Sequence, residues 1–365
     1  MKIAGAEKKM SKILYTASTM SHINNFHLDY INALRSEGHT VLTMARGEGA
    51  DFNIPFEKKL LSPKNTRCRK EIKRILENEK FDIVILNTTL SAFHIRLAMP
   101  RRRPRVLNIV HGYLFSENTS FLKRKVFLFC ERMLRRKTDS IIVMNDDDYR
   151  IATKNKLSLG KTYMSLGMGA KKKTVSEENV RLLLKEKNGS YVMSFVGELS
   201  KRKNQEFLIS SLPRLNKKIG RVSLWLVGDG GERERLEALA AELGVFENVR
   251  FFGSVPNPCD FIAASDLYVS ASIIEGLPFN ILEAMSVKAT VVASDIKGQK
   301  DIISDGVDGF LYPYGDMDAF VKTVCDAYSG KRALTPDNVF ASYERYSFDT
   351  VFEKTLAIIK ESVQI

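Results

Sequence analysis

Short runs in which nearly every residue is apolar alternate along this chain with longer stretches whose apolar residues recur every three or four positions. In the first half the short runs cover residues 12–17, 40–45, 82–87, 105–110 and 140–144; in the second they cover 191–196, 223–227, 249–252, 267–270, 290–293 and 309–312. Near-continuous apolarity over such lengths predicts parallel strands covered on both faces. The stretches 26–37, 70–79, 232–243 and 280–286 carry the spacing of amphipathic helices. Alternation of this kind predicts doubly wound α/β domains. A chain of 365 residues has room for two of them, at roughly 150–200 residues each. The break is expected within 160–173, where Gly160, Gly167 and Gly169 meet the basic run Lys171, Lys172 and Lys173 and periodicity is lost.

Residues 272–286 read SIIEGLPFNILEAMS. A strand is expected to end near Ser270, a loop to carry Glu275, Gly276, Leu277 and Pro278, and a helix to begin close to Phe279. Pro278 suits the first helical turn, where its missing N–H is not needed. The amides and dipole of such a helix end make an anion site suited to a diphosphate. Glu275 just before it and Glu283 a turn inside would repel phosphate, so both are expected to accept hydrogen bonds from hydroxyls. A nucleotide sugar offers hydroxyls on both sides of its diphosphate.

The two glutamates, with seven residues between them and EGLPFNILEAM written out around them, resemble the signature of family 4 of the retaining glycosyltransferases. The resemblance implies the GT-B fold: α/β, with two doubly wound Rossmann-like domains facing across a cleft. Residues 1–168 would bind the acceptor, 169–345 the donor, and a last helix over 346–365 would pack back on the first domain. Glu275 would hold hydroxyls of the donor sugar and Glu283 the ribose. The stretch FVGELSKRKN at 195–204 is similar to the family's phosphate-binding element, expected to follow a strand and to open a helix with Lys201, Arg202 and Lys203. By that likeness Lys203 meets the donor phosphates. Glu198 stands after Gly197, where the family often has arginine, so Arg202 is the second cation. The turns holding Gly228 and Val255 resemble those that line the nucleotide side. In the first half a strand ends IVHG at Gly112. A histidine there is either a packed structural residue or a ligand contact, and the resemblance implies that His111 touches the donor sugar near the reacting carbon. The loop 17–22 resembles that of exopolysaccharide enzymes, lacks the Gly-Gly of many relatives, and puts Ser21 and His22 forward for the acceptor.

An apolar fraction of 44% and a charged fraction of 27% describe a folded globular chain. No apolar run nears the roughly 18 residues of a membrane span, and residues 1–11 have no apolar segment behind their lysines, which speaks against a secretory signal. Cys68, Cys130, Cys259 and Cys325 stand far apart, as in a reducing cytosol. The net charge of +13 is one-sided: residues 1–170 hold 31 basic against 16 acidic residues, the remainder 25 against 27. A wholly basic half points to an anionic partner. Within it, FLKRKVFLFCERMLRRK at 121–137 reads either as a core helix with a basic outer face or as a helix lying on an anionic membrane. No nucleic-acid reader motif accompanies it. Asp146, Asp147 and Asp148 invite comparison with a metal-binding Asp-X-Asp, but they are expected to be a solvated helix start. No Asp/His cluster has metal-ligand spacing, so no metal site is expected.

Covering nearly the whole chain, the resemblance implies transfer of a hexose or N-acetylhexosamine with retention, from a nucleotide-diphosphate sugar. UDP-sugar is the first choice, and neither metal nor another cofactor is required. A lipid-linked or glycan acceptor of bacterial exopolysaccharide, capsule or O-antigen synthesis would receive it. The expected setting is cytoplasmic, peripherally on the inner face of the cytoplasmic membrane, with anionic lipid and not nucleic acid as a partner. Two other readings stay open: a sugar-nucleotide epimerase of the same fold, and a basic, non-enzymatic nucleic-acid-binding protein.

Overall fold

The structure, a computed structural model, describes residues 10–57, 62–115 and 119–365. The N-terminal stretch read for a secretory signal lies, through residue 9, outside the described residues. Two compact units divide the chain: Met1–Gly169 with Val351–Ile365, and Ala170–Thr350.

In the first unit seven strands run in chain order: β1 Lys12–Thr19, β2 Thr40–Arg46, β3 Phe52–Asn53, β4 Ile83–Asn87, β5 Arg105–Val110, β6 Ser140–Val143 and β7 Thr162–Met164. They form one parallel sheet in the order β3-β2-β1-β4-β5-β6-β7. The chain winds outward from β1, then returns to lay β4 on its other side, so the sheet reverses direction between β1 and β4. Leu14, Val84, Leu86 and Val106 meet Ile72 and Ile95, from the helices Pro63–Glu79 and Thr89–Ala98, in a buried core. β3 and β7 were not expected. Two or three residues are too few to show a period, and β7 lies inside the stretch read as the break. The helix expected over 26–37 is Leu28–Ser36, and a further helix, Met20–Phe26, precedes it, the two parted at His27. The last helix, Phe348–Val363, is held to this unit's sheet: Arg105 Nη1 donates to the Val363 carbonyl at 2.8 Å, and Ser140 Oγ to that of Ser362 at 3.1 Å.

The second unit holds β8 Tyr191–Val196, β9 Val222–Val227, β10 Val249–Gly253, β11 Leu267–Ser270, β12 Val291–Asp295 and β13 Phe310–Pro313. Their order, β10-β9-β8-β11-β12-β13, is again parallel throughout and reverses between β8 and β11. Phe195, Leu226, Val269 and Phe310 pack with Leu208 and Leu212 of the helix Gln205–Ile219. That helix begins later than expected. Lys201, Arg202 and Lys203 form a turn ahead of it, which spares the positive helix end three cations inside its first turn.

Candidate functional site

In an open parallel sheet, ligands gather where the loops leaving two neighbouring strands part to opposite faces. In the second unit those are the loops after β8 and β11. The backbone joins them: the Ile273 N–H donates to the Arg202 carbonyl at 2.8 Å. Between them lies an ion cluster. Lys203 Nζ stands 2.7 Å from Glu275 Oε1, and Arg202 Nη1 stands 2.7 Å from Glu275 Oε2. Glu275 and Lys203 are both buried, at 8% and 7% exposure. Burial opposes the charge on the Glu275 carboxyl, but Lys203 and Arg202 outweigh it and hold the group below its usual range. Burial, with Arg202 beside it, pushes the Lys203 ammonium below its usual value against the pull of Glu275. The group is one carboxylate between two cations. An ionised carboxylate has about four acceptor positions, so two remain for hydroxyl donors.

Close backbone approach builds the surroundings. A Cβ on Gly228, just past β9 at φ +136°, would come within 2.1 Å of the Gly197 carbonyl oxygen. Only glycine fits there. The Gly228 N–H in turn donates to Gly253 at 2.8 Å, so the turns after β8, β9 and β10 adjoin. Val255, two residues further on, is half-buried and stands outside the ion cluster. Gly298 was not anticipated at all. At φ +88°, a Cβ there would meet the Cβ and carbonyl oxygen of Glu275 at 2.8 Å each.

The helix Phe279–Ser286 begins where it is expected, with Pro278 as its cap at the end of the loop. The reason is local: the N–H groups of Ile281 and Leu282 both donate to the Pro278 carbonyl, at 3.0 and 3.3 Å. Gly276, Leu277 and Pro278 therefore form the turn entering the helix. Asn280 Nδ2 fixes it to the sheet, donating to Tyr268 Oη at 2.8 Å and to the Val196 carbonyl at 3.1 Å. Glu283 stands apart from the ion cluster and pairs with Lys173 Nζ at 2.8 Å. That partner comes from the basic run read only as part of a domain break.

In the first unit, the stretch expected as a loop at 17–22 is the end of β1 and the start of the helix Met20–Phe26, capped by Thr19. Ser21 is exposed and His22 half-buried on that helix. His111 follows β5, and a third histidine joins the two. His27 Nε2 lies 3.3 Å from His22 Nε2 and 3.1 Å from His111 Nε2. Tyr15 Oη meets His27 Nδ1 at 3.0 Å, and Asn87 Oδ1 is 3.3 Å from His111 Nε2. Burial lowers the His22 pKa to about 4; burial, with the neighbouring imidazoles, holds His27 and His111 well below their usual value. All three are neutral at pH 7. His27 escaped the sequence reading because it fell inside an expected helix. So did Thr88, after β4, a β-branched residue at φ 61° held by Ser18 through its N–H at 3.0 Å and its hydroxyl at 2.6 Å. Such a conformation is strained and persists only where contacts enforce it.

The acidic triplet is corrected in part. Asp146 is exposed, but Asp148 is fully buried and accepts from Asn145 Nδ2 at 2.9 Å and from the Tyr113 N–H at 3.2 Å.

Comparison with known proteins bears on both units. The family "Glycosyltransferase Family 4" matches residues 23–156, and "Glycosyl transferases group 1" matches residues 177–338. A protein of Bacillus subtilis (strain 168) named "Putative glycosyltransferase EpsD" is 29% identical over 87% of each chain. An Escherichia coli protein named "UDP-Gal:alpha-D-GlcNAc-diphosphoundecaprenol alpha-1,3-galactosyltransferase" is 25% identical over 69% of this chain and 67% of its own. Among solved structures, Anabaena Alr3699/HepE in complex with UDP and glucose is similar with a TM-score of 0.76 at 21% identity, over 96% of this chain and 100% of its own. With the signature around Glu275 and Glu283, two Rossmann-like sheets of matching order and both halves matched, this chain belongs to the family 4 glycosyltransferases of GT-B fold.

Proposed function

We propose that this transferase moves a hexose or N-acetylhexosamine, with retention, from a UDP-sugar to a lipid-linked or glycan acceptor of bacterial surface-polysaccharide synthesis. Residues 169–345 would serve the donor, and residues 1–168 with the last helix the acceptor. The observation that carries the reading is the Lys203–Glu275–Arg202 cluster at the sheet's reversal point, with Lys203 and Glu275 buried and Arg202 at its exposed edge. As the bond from the anomeric carbon to the diphosphate breaks, negative charge grows on the departing phosphate oxygen. Lys203, Arg202 and the N–H groups of Gly276, Leu277 and Phe279 would stabilise it, the largest contribution in most such reactions. Two fixed cations take the place of a divalent ion at the diphosphate. Glu275 would accept from donor-sugar hydroxyls through its two open acceptor positions, and Glu283 from the ribose. Gly197, Gly228, Leu277, Pro278 and Val255 would shape the donor pocket, His111 would serve the sugar, and Ser21 and His22 the acceptor. The galactosyltransferase of E. coli carries a diphosphoundecaprenol acceptor in its name, and the Anabaena neighbour was solved with UDP; both favour this choice of substrates. The epimerase and nucleic-acid readings gain no support.

The helix Phe121–Leu134 favours an acceptor at a membrane. Leu122, Val126, Phe129 and Met133 share one face and are 73%, 55%, 68% and 52% exposed. A core helix would turn that face inward; of its described residues only Glu131 and Leu134 are buried. Lys123, Lys125 and Arg132 flank the apolar stripe, and each basic residue near anionic lipid adds about 1 kcal/mol of attraction. No helix among the described residues is long and apolar enough to cross a membrane. The proposed setting is therefore peripheral, on the cytoplasmic face of the inner membrane.

Thermal unfolding with a panel of UDP-, GDP-, TDP- and ADP-sugars, in EDTA, tests the donor reading, since a bound ligand raises stability by mass action. UDP-sugars should raise the melting temperature of the protein and fail to do so for Lys203→Ala. A panel with no effect on the wild type would overturn the reading.

A further inference from the structure

We propose that His22, His27 and His111 form a binding site for a zinc-class transition-metal ion inside the first unit. One ring nitrogen from each lies within 4.8 Å of the other two, and this is a metal-compatible group of side chains among the described residues. The closest approaches are between Nε2 atoms, 3.1 Å from His27 to His111 and 3.3 Å from His27 to His22. Zinc holds imidazole nitrogen at about 2.0–2.1 Å in tetrahedral geometry. Two nitrogens on such an ion stand about 3.3–3.4 Å apart; the His27–His22 pair has that spacing and the His27–His111 pair is slightly closer.

Hydrogen bonding alone accounts poorly for this convergence. A neutral imidazole nitrogen carries either one proton or one in-plane lone pair. His27 Nε2 faces two other Nε2 atoms, so its single proton must be shared between two acceptors, or its single lone pair between two donors. His111 Nε2 faces Asn87 Oδ1 as well, at 3.3 Å. One cation at the centre gives all three lone pairs a partner at once.

The second ring of contacts fits the same role. Metal-bound histidines commonly fix their orientation through the other ring nitrogen, and His27 Nδ1 meets the buried Tyr15 hydroxyl at 3.0 Å. His27 is fully buried and interrupts what would otherwise be one helix. His22 and His111 are half-buried, so one side of the group is open to a water molecule or another fourth ligand. Three imidazoles without a carboxylate suit zinc and its neighbours, not magnesium or calcium. The ion would clamp the helix that follows β1 to the end of β5, fixing the two loops to which the transferase reading assigns acceptor and sugar contacts. His22 and His111 would then serve the ion in place of the acceptor and sugar contacts given them above; binding of the ion needs neither substrate, so its test is separate from that of the transferase reading. The site is also separate from the donor diphosphate, where Lys203 and Arg202 supply the charge.

The test uses the full chain, purified on a tag without histidine, loaded with zinc chloride and passed through gel filtration. Metal content is measured by plasma mass spectrometry, and the cobalt-loaded protein by visible absorption. The expected result is one zinc per chain and the intense absorption bands of tetrahedral cobalt. His22→Ala, at the half-buried position, should lose both while its circular dichroism stays that of the wild type. His27→Gln should lose the metal as well. Zinc well below stoichiometry in the wild type, or one zinc retained in both variants, would overturn the proposal; in the first case the three rings form a hydrogen-bonded cluster only.

Discussion

Glu275 and Glu283 share a helix entrance and a motif, yet the structure gives them different partners. Glu275 is buried between Lys203 and Arg202, whereas Glu283 pairs with Lys173 and is 20% exposed at its side chain. Glu275→Gln should lower kcat roughly 10–1000-fold, and Glu283→Gln less, because the proposed function sets the former against the sugar whose bond breaks and the latter against the ribose. Steady-state kinetics of nucleotide release compares them; equal rates in both variants and the wild type would sink the assignment. Gly298→Ala probes the same carboxylate from behind, because a Cβ at that position meets Glu275 at 2.8 Å. With a left-handed backbone as well, the variant should lose about 1–3 kcal/mol of stability and most of its turnover, read by denaturant melts and kcat. The acidic and basic partners of the donor cluster were legible in the sequence because each lies in a short motif with recognisable neighbours. Gly298, Lys173 and His27 were not. Each acts on a residue distant in the chain, and nothing near it in sequence reports the encounter.

At the scale of elements, strands of four residues or more showed in the sequence to within a residue or two at most ends. Continuous apolar runs leave little choice when both faces of a sheet are covered. Helix ends were less legible, since Lys201–Lys203 sit where a turn and a first helical turn have the same composition. The helix Phe121–Leu134 was ambiguous because period alone does not say which face is inside. Tertiary contact decides it. Arg96, 1% exposed at its side chain, makes a two-pronged pair with Glu131 at 2.8 and 2.9 Å, pinning the helix by its polar side. Glu131→Ala leaves a buried guanidinium unpaired and should cost about 3–5 kcal/mol, measured by denaturant unfolding; a change below 1 kcal/mol would mean the pair is not closed in solution. The outward stripe makes a second prediction. Replacing Lys123, Arg124, Lys125, Arg135 and Arg136 with serine should abolish flotation with vesicles of anionic lipid, and Phe129→Ser should weaken it. Binding by the wild type should fade with salt, as screened charges do. Unchanged flotation of the five-fold variant would assign the basic surface to another anion.

Over the whole molecule, the two units share a sheet order, and the two halves of the chain divide the charge: 31 basic against 16 acidic residues before position 171, and 25 against 27 from it onward. A neutral half with a buried cation–carboxylate cluster suits a small charged donor, and a basic half with an apolar stripe suits an acceptor at an anionic surface. The sequence shows this asymmetry plainly, since net charge needs no fold to be counted. The proposed function is glycosyl transfer that depends on the Glu275 cluster. Its most direct measurement is the incubation of the protein with UDP-hexoses and a polyprenyl-diphosphate-linked sugar acceptor, following UDP release and analysing the product by NMR. Stoichiometric UDP and glycosylated acceptor whose new bond keeps the donor's anomeric configuration are expected, both formed far more slowly by Glu275→Gln and Lys203→Ala. An epimerised nucleotide sugar with no glycosylated product, or transfer undiminished in both variants, would contradict that function.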